Sequence, residues 1–122
     1  MSGVINQIEK AIKAQAARQR VEIPEWGTEV TNDDGEPEHR PLVAYYHPMT
    51  IADTRLCSQQ GDGDHFLTLV YIIIRKLEDE EGNKIFTVEH KDMLATKAHR
   101  DTIMEIANRI TQRPTLEGAI KK

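Results

Sequence analysis

At 122 residues, with 39% apolar and 30% charged side chains, the chain has the length and balance of one domain with a modest core. Its net charge of −4 counts against phosphate neutralisation as a main source of affinity, and its single cysteine, Cys57, excludes an intrachain disulfide and suits a reducing compartment. No centrally apolar leader opens the chain. The longest apolar run, Phe66 to Ile74, falls far short of the ~20 residues that span a bilayer, so a cytosolic protein without a membrane partner is expected.

Residues 1–19 predict an amphipathic N-terminal helix. Ser2 is placed as its N-cap, Val4, Ile5, Ile8, Ala11, Ile12 and Ala16 recur at helical spacing, and Glu9 and Lys13 pair four residues apart. The stripe is narrow and turns Ala-rich, which fits either a helix laid loosely on the core or an arm for a partner. Arg20 to Val30 reads as a strand, with Val21 and Ile23 on one face and Glu22 on the other. Pro24 lacks an N–H, so this strand is an edge or ends there, and Trp26-Gly27 marks a bend. Thr31 to Pro41 holds almost no apolar residue, an Asn-Asp-Asp-Gly run and two prolines, and is expected to be a mobile loop. Its Asp33-Asp34-Gly35 lacks the remaining ligands of a calcium loop. Leu42 to His47 returns as the second strand of a β-hairpin, closed by Pro48.

Thr50 to Gln59 reads as a helix with a capping box between Thr50 and Asp53. Gly61-Asp62-Gly63 breaks it, and Asp64 caps the next element. Val70 to Ile74 has strand propensity, yet the stretch Asp64–Leu77 is long for a strand, is capped, and closes on Arg75-Lys76, which favours a helix C-terminus. A helix apolar on nearly every side belongs at the centre of the fold. Glu78 to Lys84 is a charged turn, Thr87 caps a short helix to about Ala95, and a last helix runs from about Lys97 to Gln112 with Ile103, Ile106, Ala107 and Ile110 as its stripe. Pro114 forbids continuation, leaving residues 113–122 as a frayed tail. The expected fold is thus a single α+β domain, a small β-hairpin beside four or five helices, with Asp64–Leu77 central. No internal repeat is apparent.

Reactive chemistry is sparse. The histidines at 39, 47, 65, 90 and 99 show no metal-ligand spacing, and Gly61-Asp62-Gly63 is too short for a phosphate loop. The densest polar cluster, Asp62, Asp64 and His65 beside Cys57, would support a thiol nucleophile only if the glycine loop folded back; a helix cap at Asp64 explains it more simply. No catalytic, cofactor-binding or metal residue is therefore assigned. Lys91, Lys97, Arg100, Arg109 and Arg113 raise the alternative of a small DNA-binding regulator of phage or bacterial origin, against interleaved Glu89, Asp92, Asp101 and Glu105. Charge is uneven: eight basic and fifteen acidic side chains up to Asn83 give −7, and eight basic and five acidic from Lys84 onward give +3. That split is either chance clustering on solvated faces or a polarity that favours head-to-tail association. Trp26, Tyr45, Tyr46 and Met49 concentrate aromatic and thioether groups in the hairpin unit, where they either plug the core or present a protein-contact surface.

Three segments in order carry a resemblance. These are Val21-Glu22-Ile23-Pro24-Glu25-Trp26-Gly27 with Tyr46-His47-Pro48-Met49-Thr50 opening a helix; the apolar helix running into Leu77-Glu78-Asp79-Glu80-Glu81-Gly82-Asn83-Lys84-Ile85-Phe86; and Thr87-Val88-Glu89-His90-Lys91-Asp92-Met93-Leu94 before an amphipathic helix. Over roughly Val21 to Ile110 the chain resembles the tail assembly chaperones of long-tailed bacteriophages and prophages. It departs from them in the longer Thr31 to Pro41 segment and in His47, where arginine is common. The resemblance implies a non-catalytic protein without cofactors that coats the tape-measure protein in the host cytoplasm, is displaced by tail-tube protein, and is not retained in the mature virion. It also implies a homo-oligomer, spiral in some members, and no nucleic-acid or membrane partner. Many such chaperones have a longer, frameshifted form, with which the terminal Lys121-Lys122 is compatible.

Overall fold

A computed structural model describes residues 2–112; the expected tail at 113–122 lies outside the described residues. The elements are α1 (Ser2–Gln15), β1 (Gln19–Thr31), β2 (Pro37–Tyr46), α2 (Ile51–Gly61), α3 (His65–Lys76), a 3-10 turn at Val88–His90, α4 (Lys91–Thr96) and α5 (Arg100–Thr111). Among the described residues the fold is α+β: one antiparallel two-stranded hairpin and five helices.

Three local signals set the helical half. Thr50 Oγ1 accepts the Asp53 N–H at 3.1 Å and Asp53 Oδ2 accepts the Thr50 N–H at 3.0 Å, a complete capping box that starts α2. Asp64 Oδ1 accepts the Leu67 N–H at 3.1 Å and starts α3. The last helix starts three residues later than expected, because His99 Nδ1 accepts the Asp101 N–H at 3.2 Å and so fixes the N-cap. α3 is the hub. It packs against α2, α4 and α5, and Leu69, Val70, Ile72, Ile73 and Ile74 are buried on it. The core is closed by Val21, Ile23 and Ala44 of the hairpin, Leu77, Leu94, and Ile103, Ile106, Ala107 and Ile110 of α5.

The hairpin differs from expectation. β1 runs through Pro24 to Thr31, and β2 begins at Pro37, five residues before Leu42, so most of the expected loop is paired strand. The register explains how. Gln19 to Ile23 pair with Tyr46 to Leu42, and Thr28 to Thr31 pair with Arg40 to Pro37. Between them Pro24 to Gly27 face only Pro41, a bulge that gathers Pro24 and Pro41 where no ladder donor is required, while Pro37 closes the ladder opposite Thr31. Gly27 is obligatory here, since a Cβ would stand 2.1 Å from the Arg40 carbonyl oxygen. The turn itself is short. The Asn32 carbonyl accepts the Gly35 N–H, the Asn32 N–H donates to the Glu36 carbonyl, both at 2.9 Å, and Gly35 takes φ +82°. The Asn32 side-chain oxygen also accepts the Asp34 and Glu36 N–H groups, at 3.0 and 2.9 Å. Beyond the bulge most side chains of the ribbon are exposed on both faces.

The other edge of β2 is extended by a tight return after α3. Tyr45 and Glu78 exchange both backbone hydrogen bonds, at 2.8 and 2.7 Å, and Glu78 in turn bridges to Lys84. Asp79 Oδ1 accepts the Glu81 and Asn83 N–H groups and holds this charged turn.

Candidate protein-interaction surfaces

The chain leaves two apolar surfaces uncovered. The first is the face of α1, where Val4, Ile5, Ile8 and Ile12 are between 48% and 60% exposed. The residues that follow α1, by contrast, are anchored. His47 Nδ1 lies 2.9 Å from the Ala16 carbonyl, Arg18 Nη1 donates to the Glu80 carbonyl at 2.8 Å, and the Arg18 guanidinium lies 4.0 Å from the centre of the Tyr45 ring. The helix is held at its C-terminal end while its apolar stripe faces away from the core.

The second surface is a groove of about 350 Å³ between the first half of α3, the end of α4 and the start of α5. Leu67, Val70, Leu94, Ala98, Ile103 and Met104 line it, Phe66 stands 54% exposed beside them, and the groove walls also carry Asp64 and Arg100. α4 is only six residues long, and His65 and Phe66 at the start of α3 remain exposed at the groove's edge. A further hollow of about 450 Å³ opens beside Leu56, Tyr71 and Val88, near His47 and Lys84.

In the wall of that hollow sits a strongly perturbed ion cluster. Asp53 Oδ1 accepts Arg75 Nε at 2.7 Å and Asp53 Oδ2 accepts Lys76 Nζ at 2.9 Å, with Asp53 and Lys76 both largely buried. Burial alone would raise this carboxyl. The hydrogen bonds from Lys76, the Thr50 backbone and Arg75 more than offset that and hold it far below the usual carboxylate range. The cluster ties the start of α2 to the end of α3 and leaves no buried side-chain polar atom unpartnered among the described residues.

The four contact candidates do not form one patch. Trp26 projects from the bulge and meets Phe86 edge-on, ring centres 5.7 Å apart, while packing against the core. Tyr46 also packs on the core and donates its hydroxyl to the Arg109 carbonyl at 3.0 Å; burial pushes its phenol up, with Arg109 pulling the other way. Met49 lies partly buried against the same core. Tyr45, on the opposite face of β2, sits under Arg18. The sequence offers the α1 stripe as either a helix on the core or an arm for a partner and does not mark the groove, because an apolar periodicity shows a face that needs a cover without saying whether the chain supplies one.

Cys57 is buried on α2, and burial raises its thiol, with lesser opposing effects from Arg75 and Lys76. That is the reverse of thiolate activation. No group of three or more His, Cys, Asp or Glu side chains converges as a metal site among the described residues. No described helix is long and apolar enough to cross a membrane.

No protein-family model matches the chain, no curated protein matches it in sequence, and no solved structure matches its fold.

Proposed function

We infer that the protein is a binding module of the tail assembly chaperone type, which escorts the tape-measure protein in the host cytoplasm before tail-tube polymerisation and is left out of the finished virion. The observation that carries this reading is the pair of uncovered apolar surfaces, the α1 stripe and the α3–α4–α5 groove, on a chain of only 122 residues. Contiguous exposed apolar surface of that kind marks interaction sites on soluble proteins. A groove of aliphatic side chains with an exposed phenyl ring at its edge suits an amphipathic helix presenting anchors at helical spacing. A rod-like helical client offers such anchors repeatedly, and many weak copies along it bind with avidity yet remain displaceable by tube subunits. The order of motifs from Val21 to Ile110 supports the same reading.

The DNA-binding alternative needs a cationic face. In the described part of the C-terminal half, Lys91, Lys97, Arg100 and Arg109 alternate with Glu89, Asp92, Asp101 and Glu105, so α4 and α5 together carry no surplus charge.

Co-expression tests the proposal. A tagged full chain is purified beside the long coiled-coil product encoded by the neighbouring open reading frame. Retention of that product, weakened at least tenfold by Phe66→Asp with the fold intact by circular dichroism, is the expected result. A wild-type chain that never retains it removes the reading.

A further inference from the structure

We propose that the α3–α4–α5 groove is the docking site for α1 of a second copy of this chain. Among the described residues, α1 is a helix whose apolar face is uncovered, and the α3–α4–α5 groove is lined mainly by aliphatic side chains, whereas the hollow beside Leu56 is walled largely by charged ones such as Arg75, Lys76, Glu78 and Lys84; the helix and the groove therefore complement each other. α1 offers Val4, Ile5, Ile8 and Ile12 on one side, flanked by Glu9 and Lys13 one turn apart. The groove offers Leu67, Val70, Ala98 and Met104 as its apolar lining, with one acid, Asp64, and one base, Arg100, among its walls. Glu9, Lys10 and Lys13 on the helix and Asp64 and Arg100 on the groove give each surface charges of both signs, so neither repels the other as a whole.

The geometry favours an exchange between copies. The root of α1 is fixed to His47, Tyr45 and Glu80, at the end of the fold where Tyr46 bonds the Arg109 carbonyl. The groove lies at the other end of α5, around Arg100 and Ile103, roughly 13 Å away along the helix at 1.5 Å per residue. α1 stands clear of its own groove, and its 14 residues give a helix of roughly 21 Å that reaches outward to a neighbour. One helix face buries less than the ~800 Å² per partner of a standard interface, so a single contact belongs to the weak, transient class. Donor and acceptor are different surfaces, so the contact is heterologous: each copy can give one helix and receive another. On the proposed function, withdrawal of α1 is the step that frees the groove for a client helix. The dimerisation itself needs no client, so its failure leaves the co-expression test standing.

Sedimentation and light scattering of the full chain, from about 5 µM to about 1 mM, provide the test. Two variants separate the halves of the contact: Ile8→Glu spoils the donor helix, and Ala95→Glu, at an exposed position on α4 that lines the groove, spoils the acceptor. Wild type should associate with rising concentration, each variant alone should remain monomeric with an unchanged melting midpoint, and an equimolar mixture of the two should regain a 1:1 complex, since one variant keeps a sound groove and the other a sound helix. A wild type that stays monomeric throughout overturns the proposal. So does a mixture that stays monomeric, or an Ala95→Glu chain that associates like wild type while Ile8→Glu does not, which assigns the contact to α1 pairing with α1.

Discussion

α1 and α5 carry nearly the same sequence signal and meet opposite fates. Each repeats aliphatic side chains every three or four residues, with charges on the other faces. On α5 the stripe Ile103, Ile106, Ala107 and Ile110 is 6% exposed or less, pressed against α3 and β1. On α1 the equivalent stripe is about half exposed or more. Amphipathicity therefore states that a face requires a cover and leaves open whether the cover comes from the same chain. α5 is bounded by a cap and returns along the core; α1 precedes an anchored turn at Ala16–Arg18 that directs it away.

Truncation separates the two most sharply. Ile110→Ala should lower unfolding stability by about 3 kcal/mol, the usual cost of removing a buried branched side chain and leaving a cavity. Ile8→Ala should change it by no more than about 0.5 kcal/mol in dilute protein, as for a surface site. Urea titrations monitored by circular dichroism give both numbers. An Ile8→Ala loss comparable to that of Ile110→Ala shows that α1 is covered in the monomer and erases the contrast.

The next effect concerns what holds the covered half together. Asp53→Asn keeps a side-chain acceptor for the Thr50 cap but leaves Lys76 buried without a counter-charge, which should cost about 3 kcal/mol at neutral pH. The sign with pH follows from the lowered carboxyl. Its stabilising contribution is present above the unfolded value of about 3.9 and is lost as pH falls below that toward the lower folded value. Wild type should therefore lose stability below about pH 4 more steeply than Asp53→Asn, whose curve is flatter there. Parallel curves in denaturant melts at several acid pH values show that the cluster is not ionised as described.

The same contrast explains what could be read from sequence. α3 was legible despite its β-branched run because Asp64 caps it and Arg75-Lys76 close it, local features that need no partner. The Thr50–Asp53 box was equally local. Asp53 as the counter-ion of Arg75 and Lys76 was not legible, because those partners lie 22 and 23 residues away. The outer hairpin reads as loop in the sequence for a different reason. A ribbon with solvent on both faces shows no apolar alternation, so Thr31 to Pro41 carries no strand pattern, and its two prolines, Pro37 and Pro41, argue against pairing. What pairs it is cross-strand chemistry such as Glu29 with His39, and a bulge that sets Pro24 and Pro41 together; neither is a periodicity. Of the candidate surface, the apolar residues were visible and their exposure was not.

That outer ribbon supplies the gentlest test, because it is a second region without a core to lean on. His39 bridges the bulge: Nδ1 lies 2.7 Å from Glu29 Oε2 and Nε2 lies 2.7 Å from the Pro24 carbonyl. Both neighbours are acceptors. A neutral imidazole can donate to only one of them, whereas the imidazolium donates to both, so the Pro24 carbonyl first and Glu29 second raise the affinity of the ring for its second proton. For a raised group the stabilising contribution is complete below the unfolded value of about 6.5 and disappears as pH rises through the folded one. The ribbon should consequently be tightest in mild acid and loosen above neutrality, while the covered core does not respond. Imidazole nitrogen shifts in an NMR titration should place the His39 midpoint above 6.5, and Glu29→Gln should bring it part of the way back, leaving the Pro24 carbonyl to account for the remainder. A midpoint at or below 6.5 means that the strands beyond the bulge are splayed, and the ribbon then belongs with α1 among the parts of this molecule that wait for a partner to order them.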